Sequence, residues 1–142
     1  MMSLEKLLLL PLFLHVLLIL YVGSHSLKSR FTAVLSGKIK LSAIATDSSN
    51  WPDDVRKWGN NFDNQFQVPN LWYAVCSLVL IVGKADLAFV GLSWLFLLAR
   101  VLHSYIHTGA NDVPLRMRTF LASFAFVFLM WAWFALRLYV IG

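Results

Sequence analysis

The sequence predicts an all-α integral membrane protein, built as a four-transmembrane-helix bundle. Of its 142 residues, 59% are hydrophobic and only 13% are charged, a balance well outside that of soluble domains. Four apolar stretches approach the roughly 20 helical residues that cross a hydrocarbon core. They run roughly from Leu7 to Leu27, Val68 to Val82, Leu87 to Ile106 and Phe120 to Val140. One long and two short connections join them, so neighbouring helices are expected to be antiparallel within a single domain over residues 1–142.

The first span also resembles a signal peptide, because Lys6 precedes a long apolar run. No Ala-x-Ala pattern follows that run, and the basic residues Lys28 and Arg30 end it. A retained membrane anchor is therefore the favoured interpretation. Within this span, His15 is interpreted as a helix-packing or interfacial residue rather than a ligand.

Residues 28–58 form the sizeable polar part of the chain and are predicted to be a loop with a short interfacial helix. Pro52 is followed by Asp53 and Asp54. This order is typical of a helix that begins there, because proline suits a first turn and acidic residues suit its positive end. Trp51 is expected at the level of the lipid headgroups.

The distribution of basic residues predicts the membrane topology. The net charge is +5, but the lysines and arginines lie beside the spans rather than among aromatic residues of a soluble segment, so no nucleic-acid partner is predicted. The connection after the first span contains Lys28, Arg30, Lys38, Lys40, Arg56 and Lys57, and the third connection leads into Arg116 and Arg118. By the positive-inside rule both connections are cytoplasmic, and both termini lie outside the cytoplasm.

Amide side chains are dense at the start of the second span, which is short unless neighbouring helices bury its polar beginning near Asn61. Asn60, Asn64 and Gln67 follow one another at i, i+4 and i+7, on one face of a continuous helix. Such amides suit a peptide-like ligand, and they equally suit hydrogen bonds between helices. Pro69 removes one hydrogen bond of this helix and is expected to bend it.

The third span has an ionisable stripe formed by Arg100, His103 and His107. Charged groups at bilayer depth are retained where a partner satisfies them, so Arg100 is expected to pair with a carboxylate, with Asp63 as the candidate. The histidines are expected to donate hydrogen bonds to a ligand. A metal site is not predicted, because no Glu follows His103 and no third ligand is evident.

The fourth span opens with Pro114, which fits a first helical turn. Arg116 then lies near the N-terminus of that helix, where the guanidinium and the helix dipole would jointly attract an anion. Arg116 and Arg118 are equally consistent with topology signals that bind nothing.

Three motifs in this order resemble the MAPEG family, membrane-associated proteins of eicosanoid and glutathione metabolism. They are Asn64-x-x-Gln67 before a proline, Arg100-x-x-His103-x-x-x-His107 near the end of span three, and Pro114-Leu-Arg116 at the start of span four. The stretch FDNQFQVPNLWY particularly resembles the bacterial branch of the family. The resemblance covers all four spans.

The resemblance implies a homotrimer that binds glutathione between neighbouring subunits, near the cytoplasmic face. The implied glutathione-binding positions are Asn60, Asn64, Gln67, His103 and His107, and Arg116 matches the arginine placed near the glutathione thiol. Three positions depart from the family pattern. Asn60 stands where members have an arginine, Gln67 stands where they have a glutamate, and Phe120 stands at a tyrosine position.

The function implied is transfer of glutathione, or a related thiol, to a lipophilic electrophile, with Arg116 as the catalytic residue that stabilises the thiolate. The implied partners are further copies of the chain, membrane lipid and a lipophilic small molecule, in a multi-pass protein of the bacterial inner membrane. The departures at positions 60, 67 and 120 motivate an alternative from another class. In that alternative the chain is a non-catalytic membrane scaffold or lipid-binding protein of the same fold.

Overall fold

The computed structural model describes residues 2–141, which are almost entirely helical and include no strand. The α-helices are α1 (Leu4–Leu35), α2 (Leu41–Ile44), α3 (Asp53–Asn64), α4 (Val68–Ile81), α5 (Leu87–Thr108) and α6 (Val113–Leu136). A 3-10 turn lies at Ser48–Asn50, and a π-helical turn ends the described chain at Arg137–Ile141. The predicted all-α fold is confirmed.

The first helix is longer than the span predicted for it. With 32 residues, α1 measures about 48 Å, whereas a hydrocarbon core is about 30 Å thick. It continues past Lys28 because basic side chains are compatible with helix and can extend into the headgroup region. The predicted loop over 28–58 is therefore wrong in extent, since α1 runs to Leu35 and α3 begins at Asp53. The connection between these two helices is residues 36–52.

This connection is tied to α3 at its start. Gly37 has a positive φ of 71°, which allows the chain to turn after α1. The Lys38 ammonium then lies 3.0 Å from the Asp54 carboxylate, and this hydrogen bond holds the pKa of Asp54 below its ordinary value. The helix start predicted after Pro52 is confirmed, with Asp53 and Asp54 in the first turn of α3.

Within residues 2–141, three segments are long and apolar enough to cross a membrane, namely Leu4–Leu35, Leu87–Thr108 and Val113–Ile141. The second predicted span, Val68 to Val82, corresponds to α4, which has 14 residues and is short for a crossing. The chain reaches α4 through α3 and a non-helical break at residues 65–67. Asn61 in α3 is fully buried. The polar beginning of this span is thus covered by neighbouring helices, as its length requires.

The core lies between α1, α4, α5 and α6. Trp72 of α4 is fully buried, its ring centroid is 4.5 Å from that of Phe96, and its indole N–H donates to the Ser93 hydroxyl at 3.1 Å. Because lipid tails are as apolar as these side chains, close packing and hydrogen bonds between helices hold such a core together. Further buried members are Leu8, Val75, Cys76, Val79, Phe89 and Met130.

Asp86 joins two helices at the end of the bundle away from the break. Its carboxylate accepts hydrogen bonds from the backbone N–H groups of Ala88 and Phe89, which caps α5. It also accepts from the Trp133 indole at 3.0 Å and lies 3.5 Å from Arg137 Nε. One side chain therefore caps α5 and ties it to the last turns of α6.

Candidate functional site

A cleft opens where α5 ends, α6 begins and the chain breaks between α3 and α4. Its volume is about 300 Å³. We call it the polar cleft, and it is lined by Asn64, Gln67, His103, Val113, Arg116, Met117 and Phe120. The described lining includes one arginine and no carboxylate, so the cleft is suited to an anion.

The break between α3 and α4 decides which amides reach the cleft. Asn64 is the last residue of α3 and Gln67 directly precedes α4, so both line the cleft. They do not lie on one continuous helical face, and that prediction is wrong, because the helix stops before Pro69 instead of bending through it. Asn60 is exposed and lines a separate depression beside Asp63.

Arg100 holds this break from the neighbouring helix. It is fully buried, and its Nη2 donates to the Asn64 carbonyl at 2.6 Å and to the Gln65 side-chain oxygen at 3.4 Å. Asp63 is exposed and makes no ion pair with it, so the predicted carboxylate partner is wrong. The backbone carbonyls at the end of α3 carry the negative end of the helix dipole, which stabilises a nearby cation.

Gln65 connects α3 to α1 and α5, and through His15 to α4, and it was missed by the sequence reasoning. Its amide nitrogen donates to the Asn61 side chain at 3.0 Å and to the Ser104 hydroxyl at 2.9 Å. Its amide oxygen accepts from His15 Nε2 at 3.1 Å, and His15 Nδ1 in turn accepts from the Tyr73 hydroxyl at 2.8 Å. This places the buried ring of His15 in helix packing. The available sequence signal was a third amide between Asn64 and Gln67.

His103 is buried against the first turn of α6. Its Nδ1 lies 3.1 Å from the Arg116 carbonyl oxygen, which can only accept, so Nδ1 carries the proton in this arrangement. The other ring nitrogen, Nε2, has no hydrogen-bond partner among residues 2–141. His103 therefore orients the start of α6 while its ring lines the polar cleft.

Arg116 lies in the first turn of α6, which begins at Val113 as the position of Pro114 predicts. Its Nη1 donates to the Asn111 side-chain oxygen at 2.7 Å and lies 3.4 Å from His107 Nε2. His107 contacts Arg116 in this way and is not among the residues that line the cleft. The arginine is half-buried and faces the cleft near the positive end of a helix.

A model of the MAPEG family matches residues 8–136, nearly the whole chain. The chain belongs to the MAPEG family. It is accordingly an integral membrane protein with the helical-bundle fold of that family. Searches of curated proteins and of solved structures gave no match to this MAPEG protein.

The structure brings together four of the six site residues predicted for this MAPEG protein. Asn64, Gln67, His103 and Arg116 line one cleft. His107 lies behind Arg116, and Asn60 faces elsewhere. Among residues 2–141 there is no cluster of three or more histidine, cysteine or acidic side chains arranged for a metal ion.

Proposed function

We propose that this MAPEG protein binds glutathione, or a related anionic thiol, in the polar cleft and transfers it to a lipophilic electrophile. The observation that supports this most strongly is the position of Arg116, which faces a cleft without carboxylates from the first turn of α6. The guanidinium and the helix dipole both favour a negative charge at this place.

The proposed chemistry requires a thiolate, because the thiolate and not the thiol is the nucleophile. A nearby cation lowers the thiol pKa, so the thiol releases its proton more readily at neutral pH. The sulfur then forms a bond to an electrophilic carbon. In a substitution the leaving group departs with its bonding electron pair, and in an addition the neighbouring atom receives the electron pair of the broken bond and takes up a proton from water. The role of Arg116 is to stabilise the negative charge on sulfur before the attack.

The remaining lining suits a peptide and an apolar co-substrate. Asn64 and Gln67 supply amide donors and acceptors for peptide groups. Gln67 is neutral, so the pairing that a glutamate would make with the glutathione amino group is absent, and we expect weaker binding. Met117 and Phe120 border the cleft, and Met117 is 58% exposed on the surface of α6. A lipophilic molecule can therefore approach from the bilayer.

The size of the cleft is consistent with a site shared between subunits. At about 300 Å³ it lies at the low end of the range for small-molecule sites, and it is open on one side. A neighbouring copy that covered this side would enlarge the binding surface and exclude water. We therefore propose that the functional unit is the homotrimer.

The test is a calorimetric glutathione titration of the purified protein in detergent, comparing wild type with Arg116→Ala. Hydrogen bonds to charged groups are worth about 1.5 to 3 kcal/mol, so we expect the substitution to weaken binding by about 10- to 100-fold. The matched control is Arg118→Ala, which removes an exposed arginine of the same helix that does not line the cleft.

Equal affinities of wild type and Arg116→Ala would contradict the proposed role of Arg116. A folded wild-type protein that binds no glutathione would favour the alternative, a scaffold or lipid-binding protein of the same fold. Ultraviolet absorbance of bound thiolate, followed as a function of pH, separates binding of the thiol from its ionisation.

A further inference from the structure

In the connection between α5 and α6, Asn111 has an uncommon backbone conformation that a hydrogen bond stabilises. Its φ is +53°, in the left-handed region that asparagine tolerates better than most residues. Its backbone N–H donates to the Ile106 carbonyl at 2.8 Å, which fixes the turn after α5. The side chain therefore projects from a defined backbone position, although the residue is exposed.

The Asn111 side chain accounts for part of the hydrogen bonding of Arg116. A guanidinium has five N–H groups, two of them on Nη1. Asn111 Oδ1 accepts one at 2.7 Å, and His107 Nε2 lies within reach of the other at 3.4 Å. Nη1 is thus directed at the connection and at α5, which leaves the Nε–H and the two Nη2 hydrogens for a ligand in the cleft.

We propose that Asn111 is a positioning residue, which orients the Arg116 guanidinium so that its Nε and Nη2 groups face the polar cleft. His107 supports the same orientation from α5. Long arginine side chains lose considerable rotamer freedom when they are fixed, so an arginine that is already held binds an anion at lower entropic cost. The consequence for glutathione rests on the proposed function, whereas the orientation of Arg116 does not.

The main test variant is Asn111→Gly. Glycine adopts a positive φ without strain, so this change removes the amide and keeps the turn. We expect glutathione affinity and the fraction of bound thiolate at neutral pH to fall by about three- to tenfold, the range for one lost hydrogen bond. In an Arg116→Ala background the same change should have no further effect, because Asn111 acts through Arg116.

The Asn111→Asp variant distinguishes the effect of holding the Arg116 guanidinium in position from the effect of the charge beside it. The carboxylate still accepts from Nη1, but it adds a negative charge beside the guanidinium. We therefore expect Arg116 to remain held while thiolate formation falls at least as far as in Asn111→Gly. Asn111→Ala should weaken binding like the glycine variant and in addition lower the melting temperature, because alanine is strained at this φ.

A merely structural role for Asn111 predicts a different pattern. In that case Asn111→Gly would lower the melting temperature and would act equally with and without the Arg116 side chain. Thr108→Ala is the local control, since Thr108 bonds to the Ser104 carbonyl in the last turn of α5 and does not touch Arg116. It should leave glutathione binding unchanged.

A second readout needs no glutathione. Phenylglyoxal condenses with the terminal nitrogens of a guanidinium, and mass spectrometry locates the modified arginine. Release of Nη1 in Asn111→Gly should raise the modification rate of Arg116 by about threefold or more, the effect of losing one hydrogen bond. Unchanged rates together with unchanged binding overturn the inference. If the wild type binds no glutathione but Arg116 becomes more reactive in the variant, the proposed function fails and the positioning role stands.

Discussion

Arg100 is fully buried, and the acceptors it has among residues 2–141 are the Asn64 carbonyl and the Gln65 side chain. A buried charge without a carboxylate partner depends on such oriented dipoles. Gln65 is also bonded to His15 and Ser104, so removing its amide leaves several buried polar groups without partners. The amides on either side of Gln65, those of Asn64 and Gln67, face the cleft instead.

We predict that substitution of Gln65 lowers the stability of the protein, whereas substitution of Gln67, two residues further on, weakens ligand binding. Gln65→Met should destabilise the protein by about 2 to 4 kcal/mol, because each buried polar group left without a partner costs about 1 to 3 kcal/mol. Gln67→Met should change stability little, because Gln67 is exposed, but it should weaken glutathione binding. Thermal unfolding in detergent and glutathione titration of both variants check this. A stable Gln65→Met protein would contradict the assigned network.

Sequence reasoning could place Asn64, Gln67, His103 and Arg116 near one end of the bundle, because family motifs and helix ends are local signals. It could not separate Gln65 from Gln67, since a continuous 3.6-residue period was assumed through the break. Pro69 was the sequence signal that indicated a break, because a proline disfavours the helical conformation of the residue before it. The partner of Arg100 was missed because a backbone carbonyl at a helix end leaves no mark in the sequence.

At the scale of elements, two helices of the bundle begin at similar caps with different surroundings. Asp86 caps α5 and also binds Trp133 and Arg137 near the end of α6. Asp112 caps α6 through the Leu115 backbone N–H at 2.8 Å. No bond from the Asp112 side chain to another helix is found in the described part of the chain. Comparing the stability lost on removing each cap therefore measures the contribution of the bonds from Asp86 to Trp133 and Arg137.

We predict that Asp86→Ala destabilises the protein more than Asp112→Ala does. Both lose a helix cap worth about 1 kcal/mol. Asp86→Ala additionally loses the Trp133 hydrogen bond and the partly exposed ion pair, together about 1 to 2 kcal/mol. Thermal unfolding of the two variants in the same detergent measures the difference. Equal losses would mean that the bonds to α6 contribute nothing.

At the scale of the whole molecule, composition and apolar length were sufficient to predict a helical membrane bundle and the three segments of residues 2–141 that are long enough to cross a bilayer, whereas α4 is shorter than the span predicted for it. Helix limits were less accessible, since α1 continues seven residues past Lys28 to Leu35. Basic side chains mark the level of the headgroups and do not mark the end of a helix. Membrane orientation and subunit number depend on surroundings that one chain does not contain.

We predict that both termini lie outside the cytoplasm and that the connection over residues 36–52 lies inside. The chain has one cysteine, Cys76, which is buried. Single cysteines introduced at Ser3 and at Ser48 can therefore be labelled selectively with a membrane-impermeant maleimide in intact bacterial cells. Ser3→Cys should react before lysis and Ser48→Cys only after it. The reverse order of labelling would show that the topology is the opposite of the predicted one.

The proposed homotrimer is tested separately, by light scattering of the purified protein, which measures the number of subunits.

The short length of α4 affects how a water-soluble and a lipid-soluble molecule would reach the same place in this protein. At 14 residues, α4 measures about 21 Å, roughly 9 Å less than the hydrocarbon core that it faces. Such hydrophobic mismatch is relieved when the bilayer thins or when polar groups are drawn below the headgroup plane. The exposed part of the break, Phe66 and Gln67, would then lie in a water-filled indentation of the membrane surface. A water-soluble reactant would reach this indentation from the aqueous side, and a lipid-soluble reactant would reach it from the bilayer. Neither reactant would have to enter the other phase.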